Sequence, residues 1–199
     1  DYEKVYRHVG RGLVNDVFSS PSIIEKLKGR LAVGHNRYST TGSDSESNVQ
    51  PLLVNTQDGS LALGHNGNLS NCKQIRDQLQ AEGAIFRSTT DSEPILHLIA
   101  RSRAGTIREK ITEALLQVRG AYSLVLMTND TLFAARDPNG FRPLALGRLE
   151  KGGWVVASET CAMDLIGAEY IRDVAPGELL MIDEDGIHSE YFAEGNPRA

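Results

Sequence analysis

Three polar clusters stand where an apolar run gives way to a loop: Gly34-His35-Asn36-Arg37-Tyr38-Ser39-Thr40, Gly64-His65-Asn66-Gly67-Asn68 and Ser88-Thr89-Thr90-Asp91-Ser92-Glu93. Loops braced by a rigid scaffold are where binding groups gather. Arg37 and Asp91 brought together would recognise a zwitterion, the guanidinium pairing with a carboxylate and the carboxylate with an ammonium. Asn66 followed by Gly67 would offer a side-chain amide and a close backbone N–H to one developing oxyanion. Each cluster also has a purely structural reading. His-Asn-Gly-Asn is a turn, Ser-Thr-Thr-Asp-Ser-Glu a helix N-cap, and an arginine after a strand a surface residue. No GxGxxG, P-loop, HExxH or GxSxG pattern occurs.

The elements that must position these clusters are legible in part. Loose alternation over 4–14 predicts a strand, and Ser20-Pro21 opens a short helix stopped at Gly29. The run 31–36 reads as a buried strand and 39–48 as a loop. Gln57-Asp58-Gly59 between two apolar runs predicts a hairpin over 52–56 and 60–64. Ser70 is placed to cap a helix whose Cys72, Ile75 and Leu79 share one face, with Gly83 as its stop. Helices are expected over 95–99 and 107–118, with Ile107, Ile111, Leu115 and Val118 at helical spacing. Three further hairpins follow, over 121–128 with 132–135, 144–149 with 154–158, and 179–183 with 187–191. A short helix at 160–166 interrupts them. Hairpin-joined strands with helices grouped between them argue an α+β fold of mainly antiparallel sheets, and disfavour a doubly wound Rossmann arrangement.

Composition sets the outer bounds. The 199 residues are 40% hydrophobic and 24% charged, enough to bury a core and too apolar for disorder. Against 26 acidic residues, the 21 Lys and Arg are scattered, which argues against nucleic acid or an acidic membrane as partner. No apolar run approaches the roughly 20 residues of a bilayer span, and the first ten residues show no secretory pattern. Cys72 and Cys161 are too few for a disulfide scaffold or a cysteine-based zinc site, which favours a reducing, cytoplasmic location. Both thiols read as core residues rather than nucleophiles, since nothing nearby lowers their pKa. His35 and His65 read as residues that hold the loops.

In order along the chain, GHNRYSTTG (34–42), GHNGNLSN (64–71), TTDSE (89–93), RDPNGFRPLALG (136–147), ASETCAMD (157–164) and VAPGE (174–178) resemble the glutaminase domain of the amidophosphoribosyltransferase family. The first three motifs are shared across the class II, N-terminal-nucleophile glutamine amidotransferases. The next two point to the purine-synthesis branch. The resemblance implies a four-layer αββα sandwich and treats 1–199 as one amidotransferase domain. It implies that Arg37 holds the glutamine carboxylate, Asp91 its amino group, and Asn66 with Gly67 the oxyanion. Tyr38, Thr40 and Thr90 match pocket-lining positions. Asp137 and Arg142 receive no catalytic role, and their motif reads as structural or interdomain.

The family nucleophile is an N-terminal cysteine whose α-amino group serves as base, whereas this chain begins at Asp1. Aligned by its motifs, the chain is expected to start after the first strands and the nucleophile, and to be inactive alone. EGNPRA (194–199) resembles the approach to the phosphoribosyltransferase domain. The implied partners are glutamine, that second domain of the same polypeptide, and further copies in a homo-oligomer. No cofactor is expected in this domain. Magnesium belongs to the transferase domain, and an iron–sulfur cluster is carried by some family members only. Two other functions stay open: a degenerate glutamine-binding or sensing module, and another class II amidotransferase. Asn66-Gly67 favours descent from a working enzyme, because an oxyanion hole adds little to ground-state binding.

Overall fold

The computed structural model describes residues 5–36 and 46–195. Two short helices, α1 (Val14–Val17) and α2 (Pro21–Lys26), precede a 3₁₀ turn at Glu46–Asn48. Then come β1 (Leu52–Thr56), β2 (Gly59–Leu69), α3 (Cys72–Ala81), α4 (Glu93–Arg101), α5 (Ile107–Gln117), β3 (Gly120–Met127) and β4 (Leu132–Arg136). The last part holds β5 (Ala145–Leu149), β6 (Trp154–Ala157), α6 (Cys161–Ile166), β7 (Ala168–Asp173), β8 (Glu178–Asp183) and β9 (Gly186–Tyr191). All pairings are antiparallel, in a six-stranded sheet ordered β1-β2-β3-β4-β8-β9 and a three-stranded sheet ordered β6-β5-β7.

Side-chain alternation on the strands stacks these elements into layers. On one face of the large sheet Leu61, Leu63, Leu124, Phe133, Ala135 and Leu179 pack with Leu79, Ile95, Ile99, Ile111 and Leu115 of α3, α4 and α5. Their neighbours Ala134, Leu180 and Ile182 face the other way and meet Leu146 of β5 and the half-buried Trp154 and Val156 of β6. The far side of the small sheet packs Ala145 and Ala168 against Met163 of α6. The order is therefore helices, large sheet, small sheet, helix, the four-layer α+β sandwich expected.

Local chemistry explains most boundaries. Ser20 caps α2 with Pro21 at its first position. Thr106 and Glu109 form a reciprocal capping box at the start of α5. The Gln57-Asp58-Gly59 turn is tied down by Asp58, whose carboxylate accepts from buried Lys110 of α5 at 2.6 Å.

Several expectations need correction. Among the described residues no strand occurs over 5–13, whose side chains are mostly exposed. Nor do residues 31–36 form a buried strand; they alternate between half-exposed and exposed with no ladder partner. Apolar alternation predicts a strand only where a neighbour supplies the hydrogen bonds. Asn71, not Ser70, occupies the N-cap of α3. The Ser70 hydroxyl instead donates to Arg119 O, and the Asn71 side chain bridges Gln117 O and Arg119 N. Strand β7 is not signalled by the sequence, because its outward residues include Glu169, Tyr170 and Ile171 and show no clean alternation.

One buried carboxylate gives a pH prediction. Glu178, 1% exposed, accepts two bonds from Arg172 (2.7 and 2.8 Å), one from Ser189 Oγ and one from Ala175 N–H. Burial alone would raise its pKa, but the four donors outweigh it and hold the carboxyl below the usual range. A lowered folded pKa means stability that is complete above the ordinary glutamate value near 4.3 and is lost as pH falls through the folded value. Glu178→Gln is expected to lower Tm at pH 7 and to flatten the acid limb below about pH 4.5. Thermal melts from pH 7 down to the acid transition check this; parallel curves for parent and variant would refute it.

Candidate active site

The site is built on one edge of β2. Strand β1 pairs with β2 only as far as Leu52 opposite Leu63, whereas β3 continues alongside β2 to Leu69. Residues 64–69 of β2 therefore present backbone groups to an edge that β1 leaves open. The groups that fill it are specific. His65 N–H donates to Gln50 Oε1 at 2.7 Å, and His65 O accepts from His35 Nε2 at 2.9 Å, which fixes that His35 nitrogen as protonated. Further along, Leu69 N–H donates to Asp91 Oδ2 at 2.8 Å. Backbone direction alternates along a strand, so the Gly67 N–H between them is directed to the same edge. About 7 Å of strand separates Gly67 from Leu69 and its carboxylate.

Asn66 projects from the opposite pleat, on the face turned toward the small sheet. Its Oδ1 accepts from Arg142 Nη2 at 2.6 Å. Only the oxygen of an amide can accept, so this contact assigns the flip and leaves Nδ2 as the remaining donor. Gly67 adopts φ +144°, and a Cβ there would lie 2.0 Å from Ala121 O. Glycine at this position is what lets β3 approach so closely.

Asp91 is fixed from several sides. The His65 ring Nδ1 lies 3.0 Å from Ser92 Oγ and 3.5 Å from Asp91 Oδ1. Burial pulls the Asp91 pKa upward, but the His65 imidazole and the Leu69 N–H prevail and leave it below the usual carboxylate value. The loop carrying it is laced down by Asn48, fully buried, whose amide exchanges two bonds with Thr89, and by Glu93, which accepts from Arg87 N, Ser88 N and Ser88 Oγ. Arg76 donates to Thr90 O at 2.8 Å. These ties hold the loop on both sides of Asp91, so the carboxylate that remains is an ionised acceptor at a preset position.

Of the residues singled out in the sequence, the structure brings Gly67 and Asp91 to this edge and sets Asn66 beside it, on the face turned toward the small sheet. Thr90 is 5% exposed and its hydroxyl pairs with Ser88 Oγ, which turns it into the loop. Arg37, Tyr38 and Thr40 lie outside the described residues. His35 and His65 hold loops, as read from sequence. Cys72 packs half-buried against the helix-side core, with its thiol pushed up by burial and by the Asp91 charge, against which Arg76 pulls down. Cys161 is not a core residue. It is exposed in the first turn of α6, where Met163 takes the buried position, and its bond to Glu159 raises its pKa. Neither thiol is held as a thiolate, the reactive form.

Sequence reasoning missed Gln50, Asn48 and Arg142. Gln50 and Asn48 lie in a polar stretch with no periodic signal. Arg142 carries a visible signal, an Arg-Asp-Pro-Asn-Gly-Phe-Arg-Pro run after a strand, but nothing in its spacing shows that it reaches Asn66. A cleft of about 1110 Å³ lies between the 5–36 segment and β1, lined among others by His35, Gln50, Leu53 and Ala62; none of Asn66, Gly67 and Asp91 lines it. Among the described residues no group of His, Cys, Asp and Glu is arranged to hold a metal ion, and no helix is long and apolar enough to cross a membrane.

The glutamine amidotransferase domain family matches residues 35–164. The amidophosphoribosyltransferase of Bacillus subtilis (strain 168) is 46% identical over 194 residues, which cover 97% of this chain and 40% of that protein. The chloroplastic amidophosphoribosyltransferase 1 of Arabidopsis thaliana is 48% identical over 189 residues, 94% of this chain and 33% of that protein. A solved structure of an allosteric regulatory enzyme of purine biosynthesis superposes with a TM-score of 0.89 at 46% identity, over 94% of this chain and 40% of that one. The chain thus spans two fifths or less of the length of these relatives.

Proposed function

The chain belongs to the glutamine amidotransferase domain family, and from that membership we propose that it is the glutamine-hydrolysing part of an amidophosphoribosyltransferase, releasing ammonia for a phosphoribosyltransferase domain of the same polypeptide. The observation that carries the reading is the single edge of β2. Along it lie an ionised carboxylate at Leu69 and a backbone N–H at Gly67, with the Asn66 amide on the adjoining face toward the small sheet.

Those groups fit the chemistry of glutamine hydrolysis in order. Asp91 accepts the α-ammonium of glutamine, and Arg37 pairs with its α-carboxylate. The side chain of glutamine then runs along the edge and sets its amide carbonyl against Asn66 and Gly67. As a nucleophile adds to that carbon, negative charge grows on oxygen, and Asn66 Nδ2–H and Gly67 N–H donate to it. Collapse of the tetrahedral intermediate expels ammonia, and water releases glutamate in a second round through the same donors. Neither Cys72 nor Cys161 is held as a nucleophile, so the reading takes that role from the N-terminal cysteine which the resemblance implies. Tyr38, Thr40 and Thr90 are assigned to the pocket wall and its support. The reading assigns no cofactor to this domain, places the magnesium-dependent step in the transferase domain, and sets the enzyme in the cytoplasm as a homo-oligomer.

Steady-state glutaminase kinetics on the full-length protein test it. The α-groups of glutamine carry full charge before and during attack, so Arg37→Ala and Asp91→Asn should fall mainly on KM. The oxyanion forms only in the transition state, so Asn66→Ala should lower kcat by about 10²–10³-fold with a smaller change in KM. Folding is checked by circular dichroism. Full kcat in Asn66→Ala, or an unchanged KM in both Arg37→Ala and Asp91→Asn, would overturn the assignment. Glutamine binding with no turnover in the parent would show a sensing module instead.

A further inference from the structure

Arg142 crosses 76 residues of sequence to reach Asn66, and the loop that delivers it is heavily braced. Asp137, fully buried, accepts backbone N–H bonds from Asn139 and Phe141 on one oxygen and from Tyr122 and Arg142 on the other. Arg136, 4% exposed, donates to the carbonyls of Arg142, Val174 and Gly140. Asp137 and Arg136 thus clamp the peptide units on both sides of Arg142. The Arg142 side chain is treated differently. Its one side-chain hydrogen bond among the described residues is to Asn66 Oδ1, and its Nε is buried with no partner.

We propose that Arg142 is a positioning residue for the oxyanion donor, holding the Asn66 carboxamide so that Nδ2 faces the reacting carbonyl. A primary amide presents an acceptor and a donor in rigid opposition. In the flipped state its oxygen would confront the developing oxyanion and repel it. A cationic donor on Oδ1 excludes that flip. It also withdraws electron density through the amide and makes Nδ2–H a stronger donor, as bonds in a chain polarise one another. This acts on the transition state, since the carbonyl of bound glutamine carries little charge. The inference rests on Asn66 serving as the oxyanion donor, and the test is arranged to separate the two.

The measurement is a double-mutant cycle on glutaminase kcat in the full-length protein. Arg142→Met is expected to lower kcat about 10–100-fold while KM for glutamine stays within about threefold. Arg142→Lys, which keeps one charged donor, should recover part of the loss. In the Asn66→Ala background, Arg142→Met should cost less than about twofold more, because the amide it orients is gone. If Asn66→Ala itself leaves kcat intact, the functional reading fails. If Asn66→Ala is impaired but Arg142→Met keeps full kcat, or its loss persists undiminished in the Asn66→Ala background, the positioning role is overturned. Should Arg142→Met prove unfolded by circular dichroism, the same cycle run with Arg142→Lys decides: its loss must vanish when Asn66 is replaced by alanine.

Discussion

Gly67→Ala is expected to destabilise the protein by about 3 kcal/mol or more, a large share of the stability of any domain. The added Cβ would lie 2.0 Å from Ala121 O and 2.8 Å from Tyr122 Cα, both backbone atoms of the neighbouring strand. No rotamer change relieves such a contact, so β2 and β3 must part where they pair, Gly67 opposite Tyr122. The φ of +144° adds strain for any L side chain. Gly120 meets the same fate from the other strand, its Cβ falling 2.2 Å from Asn68 O, so Gly120→Ala should cost a similar amount. Gly34→Ala is the control, because its Cβ meets nothing within 4 Å, and should stay within about 0.5 kcal/mol of the parent. Denaturant unfolding of the three variants decides it. A Gly67→Ala protein as stable as the parent would mean that the strands do not approach as described.

Asp137→Ala is the second variant with a large expected effect. Four backbone N–H groups converge on this carboxylate at 3.0 to 3.3 Å, and its side chain is sealed from water. Truncation leaves those donors buried without an acceptor, at a cost of roughly 3–5 kcal/mol. Asp137→Asn should recover little, since an amide keeps one acceptor and turns an NH₂ toward two N–H groups. The loop so released is the one that carries Arg142, so kcat should fall as well wherever the variant still folds. Arg142→Met, by contrast, should lose kcat with a stability change of about 1 kcal/mol or less, because it removes one side-chain bond and no backbone tie. Unfolding and kcat measured on both variants separate the loop's support from its cargo. Equal stability losses in the two would refute that division.

Much of this architecture is readable from residue order alone, and the reason is local. Gln57-Asp58-Gly59 between apolar runs specifies a hairpin and Ser20-Pro21 a helix start, because the interacting groups lie within a few residues. The alternation that places Ala134 and Leu180 on one side and Phe133 and Leu179 on the other is likewise a property of each strand. Local pattern fails where partnership decides. The apolar run 31–36 reads as a buried strand, yet no neighbour supplies a ladder. Cys161 resembles a core residue on a short helix until α6 is seen to turn Met163 inward instead.

The candidate site divides along the same line. The residue types in the HNG and TTDSE runs are suited to donate to an oxyanion and to accept from an ammonium, since those capacities belong to the groups themselves. Their convergence on one edge does not follow from order along the chain. It comes from β1 stopping at Leu52, which frees the edge of β2, and from Leu69 N–H drawing Asp91 across 22 residues to that edge. The Arg142 contact is the extreme case. An arginine has the same reach in any loop, and only the stacking of the small sheet on the large one brings this guanidinium to the Asn66 oxygen.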